Sequence, residues 1–255
     1  MPIPIRIVLV ETSHPGNIGA VARALKNMTL EELVLVRPKQ FPHPEASARA
    51  SGAEDLLRQA RVTDDLGEAL QGCGWVLATT SRERDQNFRV FDPRGAAQQA
   101  VERAARSPVA ILFGNERTGL TNEELRYAHA LLAIPANPVY PSLNIAMAVQ
   151  IIAYEILCAR LAHEQREPRT IATAATVPLA DAQEMDRLYS HFATVLEQID
   201  FRDRTQSGIH LMRRIRRFLQ RAEPDLNEVN ILRGILTAVQ QQRRRAGANE
   251  AASNE

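Results

Sequence analysis

Residues 109–125 read VAILFGNERTGLTNEEL. Five apolar residues make a buried-strand pattern that stops at Gly114. Asn115 and Glu116 follow, the chain turns again at Gly119, and Thr121 stands three residues before Glu124, the spacing of a helix-capping box. Strand, glycine-hinged polar loop and capped helix form the repeating unit of a parallel α/β sheet. The same unit recurs on both sides. Strand patterns lie at Ile5–Val10, 33–36, Trp75–Thr79 and 131–134, alternating with helical patterns at 18–28, 53–60, 66–70, 93–105, 121–127 and 144–163. Short, continuously apolar strands between helices predict a parallel sheet covered on both faces, hence an α/β domain over residues 1–163.

Beyond it, residues 164–180 mix charge, Thr, Ala and two prolines without a sustained period, and read as a linker. Three helical patterns follow at 181–199, 207–222 and 225–246, forming a helical extension over 181–255. Asp181 with Glu184 and Asp225 with Glu228 repeat the capping spacing. The whole chain of 255 residues has a net charge of +1, but that balance is uneven. Residues 1–163 carry 17 basic and 17 acidic side chains, whereas 202–221 carry seven arginines against Asp203 alone. A one-sided arginine cluster suits phosphate backbones.

With 45% hydrophobic and 24% charged residues, the composition excludes a disordered chain. No window approaches about 18 uninterrupted apolar residues, and the first residues lack a signal-peptide layout, so a cytoplasmic protein with no membrane segment is expected. Cys73 and Cys158 are too few for a disulfide framework, the six histidines show no ligand spacing, and no metal is expected.

In an open parallel sheet, ligands bind beyond the carboxyl ends of the strands. Four loops rich in Gly, Pro and small polar residues follow strands there: ETSHPGNIG at 11–19, TTSRER at 79–84, GNERTGL at 114–120 and PANPVYPSLN at 135–144. None is a dinucleotide or ATP-binding glycine fingerprint. Asn17 sits near a helix start, as its cap or as a site residue, and Arg23, a little under two turns later, is expected on nearly the same face. His14, between Ser13 and Pro15, reads as a turn residue rather than a base. Pro135, Pro138 and Pro141 stiffen the last loop, which delivers Ser142 and Asn144 to a helix start.

Three of these stretches, NIGAVAR at 17–23, FGNERTGL at 113–120 and IPANPVYPSLNIAMAVQ at 134–150, resemble the three motifs of the SPOUT superfamily of methyltransferases. Within it the chain is similar to the TrmH-like ribose 2′-O-methyltransferases, and above all to the bacterial TrmJ type, which modifies the pyrimidine at nucleotide 32 of the tRNA anticodon loop. VETSHPGNIGAVARALKNM and ATTSRER carry that subgroup resemblance. It implies a SPOUT α/β knot, in which the C-terminal part of the domain threads a trefoil, and a homodimer that completes the site. It implies S-adenosyl-L-methionine held by Thr79, Thr80, Ser81, Gly114, Asn115, Glu116, Ile134, Pro141, Ser142 and Leu143, and catalytic or near-catalytic positions at Asn17, Arg23, Glu116, Ser142 and Asn144.

A guanidinium accepts no proton near neutrality, so Arg23 reads as a phosphate clamp that steadies charge on the 2′-oxygen rather than as a base. For tRNA, Arg82 and Arg84 are placed on the ribose side of the site. Arg213, Arg214, Arg216, Arg217 and Arg221 form a backbone-tracking groove, around Leu211, Ile215, Phe218 and Leu219 on a buried face. The alternatives are 2′-O-methylation of another RNA such as ribosomal RNA, and a non-catalytic RNA-binding protein of the same fold.

Overall fold

The structure is a computed structural model that describes residues 3–81, 88–164, 177–201 and 209–252. The chain divides into two compact units, Met1–Thr176 and Val177–Glu255.

The first unit runs β1 (Ile5–Val10), α1 (Pro15–Asn27), β2 (Glu32–Val36), α2 (Pro44–Ala50), α3 (Glu54–Gln59), β3 (Arg61–Thr63), α4 (Leu66–Ala69), β4 (Trp75–Thr79), β5 (Val90–Phe91), α5 (Pro93–Ala104), β6 (Val109–Phe113), α6 (Asn122–Leu125), β7 (Ala130–Leu132) and α7 (Ile145–Glu164). Seven strands form one sheet in the order β3-β2-β1-β6-β4-β7-β5. Every pairing is parallel, with β6 central: Ile7 and Leu77 both lie opposite Ile111. The central strands are buried on both faces, as their unbroken apolar runs require. β7 enters between β4 and β5, which precede it in sequence, so the chain returns into a sheet already laid down.

Two helices begin on a His-Pro pair. The Nδ1 atoms of His14 and His43 accept the backbone N–H of Gly16 and Glu45, each at 3.2 Å, with Pro15 and Pro44 in the first turn. Histidine is outside the usual capping set. For that reason the pattern placed the start of α1 three residues late and gave no helix at α2. The strands β3 and β5, of three and two residues, have no signal in the sequence because they are too short to show a period. Gly19 lets α1 and α2 meet: a Cβ there would lie 2.0 Å from the Ala46 carbonyl oxygen.

By length and mean hydropathy α7 is apolar enough to cross a membrane. Its inner face, Ile145, Val149, Ile152, Ala153 and Ile156, is part of the sheet's core, where it packs on α1 and α5. An outer face remains, with Met147, Tyr154 and Leu161 exposed.

The second unit comprises α8 (Ala182–Gln198), α9 (Ile209–Ala222) and α10 (Leu226–Ala252). Asp181 caps α8 through the Glu184 N–H, and Asp225 and Glu228 form a reciprocal capping box on α10. Its core holds Met185, Leu188, Tyr189, Val195, Leu219, Val229 and Leu236. Residues 177–180, at the end of the stretch read as linker, belong to this unit: Leu179 bridges to Asp225, and the Ala180 N–H donates to the Pro224 carbonyl.

Candidate functional site

The strands β1, β6, β4 and β7 all point their carboxyl ends to one side, and the loops that follow them meet there. Between the loops after β4, β6 and β7 lies a cavity of about 370 Å3. Every residue expected to hold a cofactor lines it: Thr79, Thr80, Ser81, Gly114, Asn115, Glu116, Ile134, Pro141, Ser142 and Leu143. The sequence did not single out its apolar floor, where Phe113, Leu120, Leu132, Ile145 and Ala148 also face the space. These are core residues whose outer ends happen to bound the cavity, which no periodicity distinguishes.

The glycine loop is tightly folded. A Cβ on Gly114 would lie 2.3 Å from both the Gly119 carbonyl carbon and the Leu120 nitrogen, and Gly119 itself has φ +67°. Only glycine permits that closure. Asn115 fixes the loop from within: its Nδ2 donates to the Glu11 carbonyl at 2.7 Å, and its Oδ1 accepts the Arg117 N–H at 2.9 Å. A bracing cluster stands behind it. Arg37 Nε donates to Glu11 at 3.1 Å and Nη2 to Glu124 at 3.0 Å, while Glu124 and Thr121 make the expected reciprocal cap on α6.

Beside the cavity, a one-way chain of hydrogen bonds joins three distant segments. The Ala146 N–H donates to Asn144 Oδ1 at 2.9 Å, and Asn144 Nδ2 donates to Asn17 Oδ1 at 3.0 Å. Asn17 Nδ2 then donates to Glu116 Oε1 at 2.8 Å. Ser13 approaches the other oxygen, Oε2, with its N–H at 3.0 Å and its hydroxyl at 2.9 Å. The backbone donor at Ala146 and the acceptor-only carboxylate fix which way both amides point. Burial alone would push the Glu116 carboxyl up, but the Ser13 backbone N–H, the Asn17 amide and the further donors bring it below its ordinary value of 4.5. Glu116 is therefore an anion held in one orientation. Ser13 joins the candidate site through these two bonds, and its only signal in the sequence is the turn character of the ETSHPGNIG loop.

Asn17 is thus not the cap of α1, a role taken by His14. Ser142 lines the cavity, and its side chain makes no hydrogen bond among the described residues. Arg23 is a correction. Six residues at about 100° each turn through about 600°, leaving it about 120° away from Asn17 rather than on nearly the same face. It is exposed, does not line the cavity and stands outside the Asn17 chain.

The expected RNA-binding arginines divide. Arg82 and Arg84 lie outside the described residues. Arg213, Arg214 and Arg221 are exposed on α9, with Arg217 half-buried. Arg216 turns inward: its guanidinium stacks 4.3 Å from the Tyr189 ring centroid and pairs with Asp186 at 3.3 Å. Phe218, expected on the buried face, is 62% exposed.

Comparison with known proteins bears on both units. Residues 4–154 match the SpoU rRNA Methylase family, and residues 183–250 match the family described as tRNA methyltransferase TrmJ, C-terminal domain. A Sodalis glossinidius protein named tRNA (cytidine/uridine-2′-O-)-methyltransferase TrmJ is 46% identical over 236 residues, 92% of this chain and 91% of that protein. A protein of the same name from Escherichia coli K12 is 46% identical over 238 residues, 93% of this chain and 96% of that one. The crystal structure of TrmJ from Z. mobilis ZM4 superposes with a TM-score of 0.78 at 33% identity, covering 92% of this chain and 98% of that one.

Proposed function

We propose, from the premise that this chain belongs to the SpoU rRNA Methylase family, that it is a cytoplasmic tRNA methyltransferase. It transfers a methyl group from S-adenosyl-L-methionine to the ribose 2′-oxygen of the cytidine or uridine at position 32 of the anticodon loop. The observation that carries this reading is the convergence of the three loops on one cavity with the Glu116 anion held at its edge. The match of the second unit to a tRNA methyltransferase domain, together with the names of the relatives, favours tRNA over ribosomal RNA.

The cavity fits the cofactor in size and lining. About 370 Å3 lies within the range of small-molecule sites, and an apolar floor edged by hydroxyls and loop backbone suits an adenosine. Thr79, Thr80, Ser81, Gly114, Asn115, Ile134, Pro141, Ser142 and Leu143 would hold it. The bound cofactor supplies an activated methyl group on a sulfonium with a neutral thioether leaving group.

What the chain itself must do is align a ribose hydroxyl and accommodate its proton. Glu116, ionised and clamped by Ser13 and Asn17, anchors the loop that bounds the cavity and presents a fixed negative charge to a cationic cofactor. The Ser142 hydroxyl, which lines the cavity, holds the 2′-hydroxyl or a water that carries its proton away. Arg23 clamps the adjacent phosphate and stabilises the developing alkoxide. Because Arg23 is exposed and outside its own cavity, it serves the cavity of a second copy. The exposed outer face of α7, with Met147, Tyr154 and Leu161 about two turns apart, is the surface for that homodimer.

Mass-spectrometric nucleoside mapping of unmodified tRNA, incubated with the purified protein and S-adenosyl-L-methionine, tests the proposal. The expected product is a 2′-O-methylpyrimidine confined to position 32. Methylation of ribosomal RNA in place of tRNA, or of neither, would overturn it.

A further inference from the structure

α9 carries no acidic residue, and its side chains sort by direction. At about 100° per residue, Arg213, Arg217, Arg221, Arg214 and Phe218 fill a continuous arc of about 140°. Met212, Ile215, Leu219 and Arg216 lie on the opposite side. The burial agrees with this division. Leu219 is 5% exposed, Met212 and Ile215 pack on the helical core, and Arg216 is committed to Tyr189 and Asp186. Phe218 stands at the edge of that arginine arc, next to Arg214, at 62% exposure. It is a large aromatic ring left in water beside a basic face, and it is not part of its own unit's core.

We propose that Phe218 is a stacking platform for one unpaired nucleotide of the tRNA, with Arg214, Arg217 and Arg221 gripping the phosphates on either side of it. This rests on the tRNA reading above and names the contact by which the helical unit grips its substrate. Single-stranded nucleotides are recognised by aromatic faces and cationic grooves acting together, because every base offers a π-face and every linkage a charge. A membrane surface is the other polyanion a basic helix can meet. Here the apolar side of α9 is already filled by the unit's own core, which leaves a single ring for a bilayer and too little area to anchor there.

The test uses the full chain. Binding of an unmodified tRNA transcript is titrated over a range of KCl for the wild type, Phe218→Leu and Phe218→Trp, with phosphatidylglycerol vesicles as a parallel arm. Leucine keeps the apolar bulk and loses the π-face; tryptophan keeps both. Phe218→Leu is expected to weaken tRNA binding roughly 5- to 150-fold, with the slope of log K against log salt unchanged, since stacking releases no counterions. Phe218→Trp should bind as the wild type does. If wild-type protein binds tRNA and Phe218→Leu binds it equally well, the stacking platform is wrong while the tRNA reading stands. If the wild type binds vesicles through Phe218 and does not bind tRNA, both fail.

Discussion

At the carboxyl end of the sheet, Ser13, Asn17, Glu116 and Asn144 come from segments up to 131 residues apart, yet almost every polar atom among them has an assigned partner. On α9, five arginines occur within nine consecutive residues, and Arg216 turns inward, onto Tyr189 and Asp186. In the first region orientation is set by mutual hydrogen bonds, where each donor fixes the next. In the second, helix phase alone decides which charge turns inward and which stays out. Preorganised geometry suits a reaction in which one oxygen must line up with one methyl. An open charged face suits a long, variable polyanion. On the proposed reading, the first region carries the chemistry and the second carries most of the grip on tRNA.

That division can be broken at several points. The largest effect is expected from Gly114→Ala, because its Cβ meets backbone at 2.3 Å on two sides with no flexible side chain to yield. Calorimetry should show S-adenosyl-L-methionine binding abolished and stability lowered by about 2–4 kcal/mol, with tRNA affinity retained if the second unit alone grips RNA. Glu116→Gln comes next. The amide sets an N–H2 against the donors of Ser13 or Asn17, and a loss of about 100-fold in single-turnover methylation is expected, roughly 2.7 kcal/mol of barrier.

The same pair of proteins tests the charge. A lowered carboxyl value means Glu116 stabilises the fold fully above its ordinary value of 4.5, and that contribution disappears as pH falls through the lower folded value. The melting-temperature difference between wild type and Glu116→Gln should be constant above about pH 5 and narrow below pH 4.5. A difference that widens on acidification would mean Glu116 is held protonated.

Smaller effects sharpen the contrast on α9. Arg213→Ala with Arg221→Ala should leave the melting temperature unchanged and reduce the salt slope of tRNA binding by about 1.4–1.8, one phosphate for each arginine. Arg216→Ala should do the reverse. It removes a stack on the 3%-exposed Tyr189 and a partly exposed ion pair, for about 1–2 kcal/mol of stability read by thermal melting, with little change in the salt slope.

How much of this was legible in the sequence follows the same divide. The loops around the cavity were readable because apolar runs end there in glycine, proline or small polar residues, a local signal of a strand end, and the individual cavity residues followed from the family resemblance. Thr121 and Glu124, Asp181 and Glu184, and Asp225 and Glu228 were readable because capping is a three-residue affair. His14 and His43 hid two helix starts because imidazole is a rare cap. Ser13 was invisible because its partner lies 103 residues away. Arg23 was misplaced because the phase of a helix turns by about 100° at each residue, so six residues carry it off the Asn17 face. Phe218 keeps the helical spacing of Leu211 and Ile215 but falls at the outer edge of that stripe, and Arg216 turns inward because Tyr189 and Asp186, from a distant segment, receive it.

The most direct test is a single-turnover titration of methylation rate against tRNA concentration, run on Glu116→Gln and on the Arg213→Ala, Arg221→Ala double variant. The division predicts crossed effects. The first should lose maximal rate at unchanged half-saturating tRNA, and the second should need more tRNA to reach an unchanged maximal rate. A double arginine variant with a depressed maximal rate and unaltered half-saturation would contradict it, because the helical face would then act in the chemistry rather than in the grip.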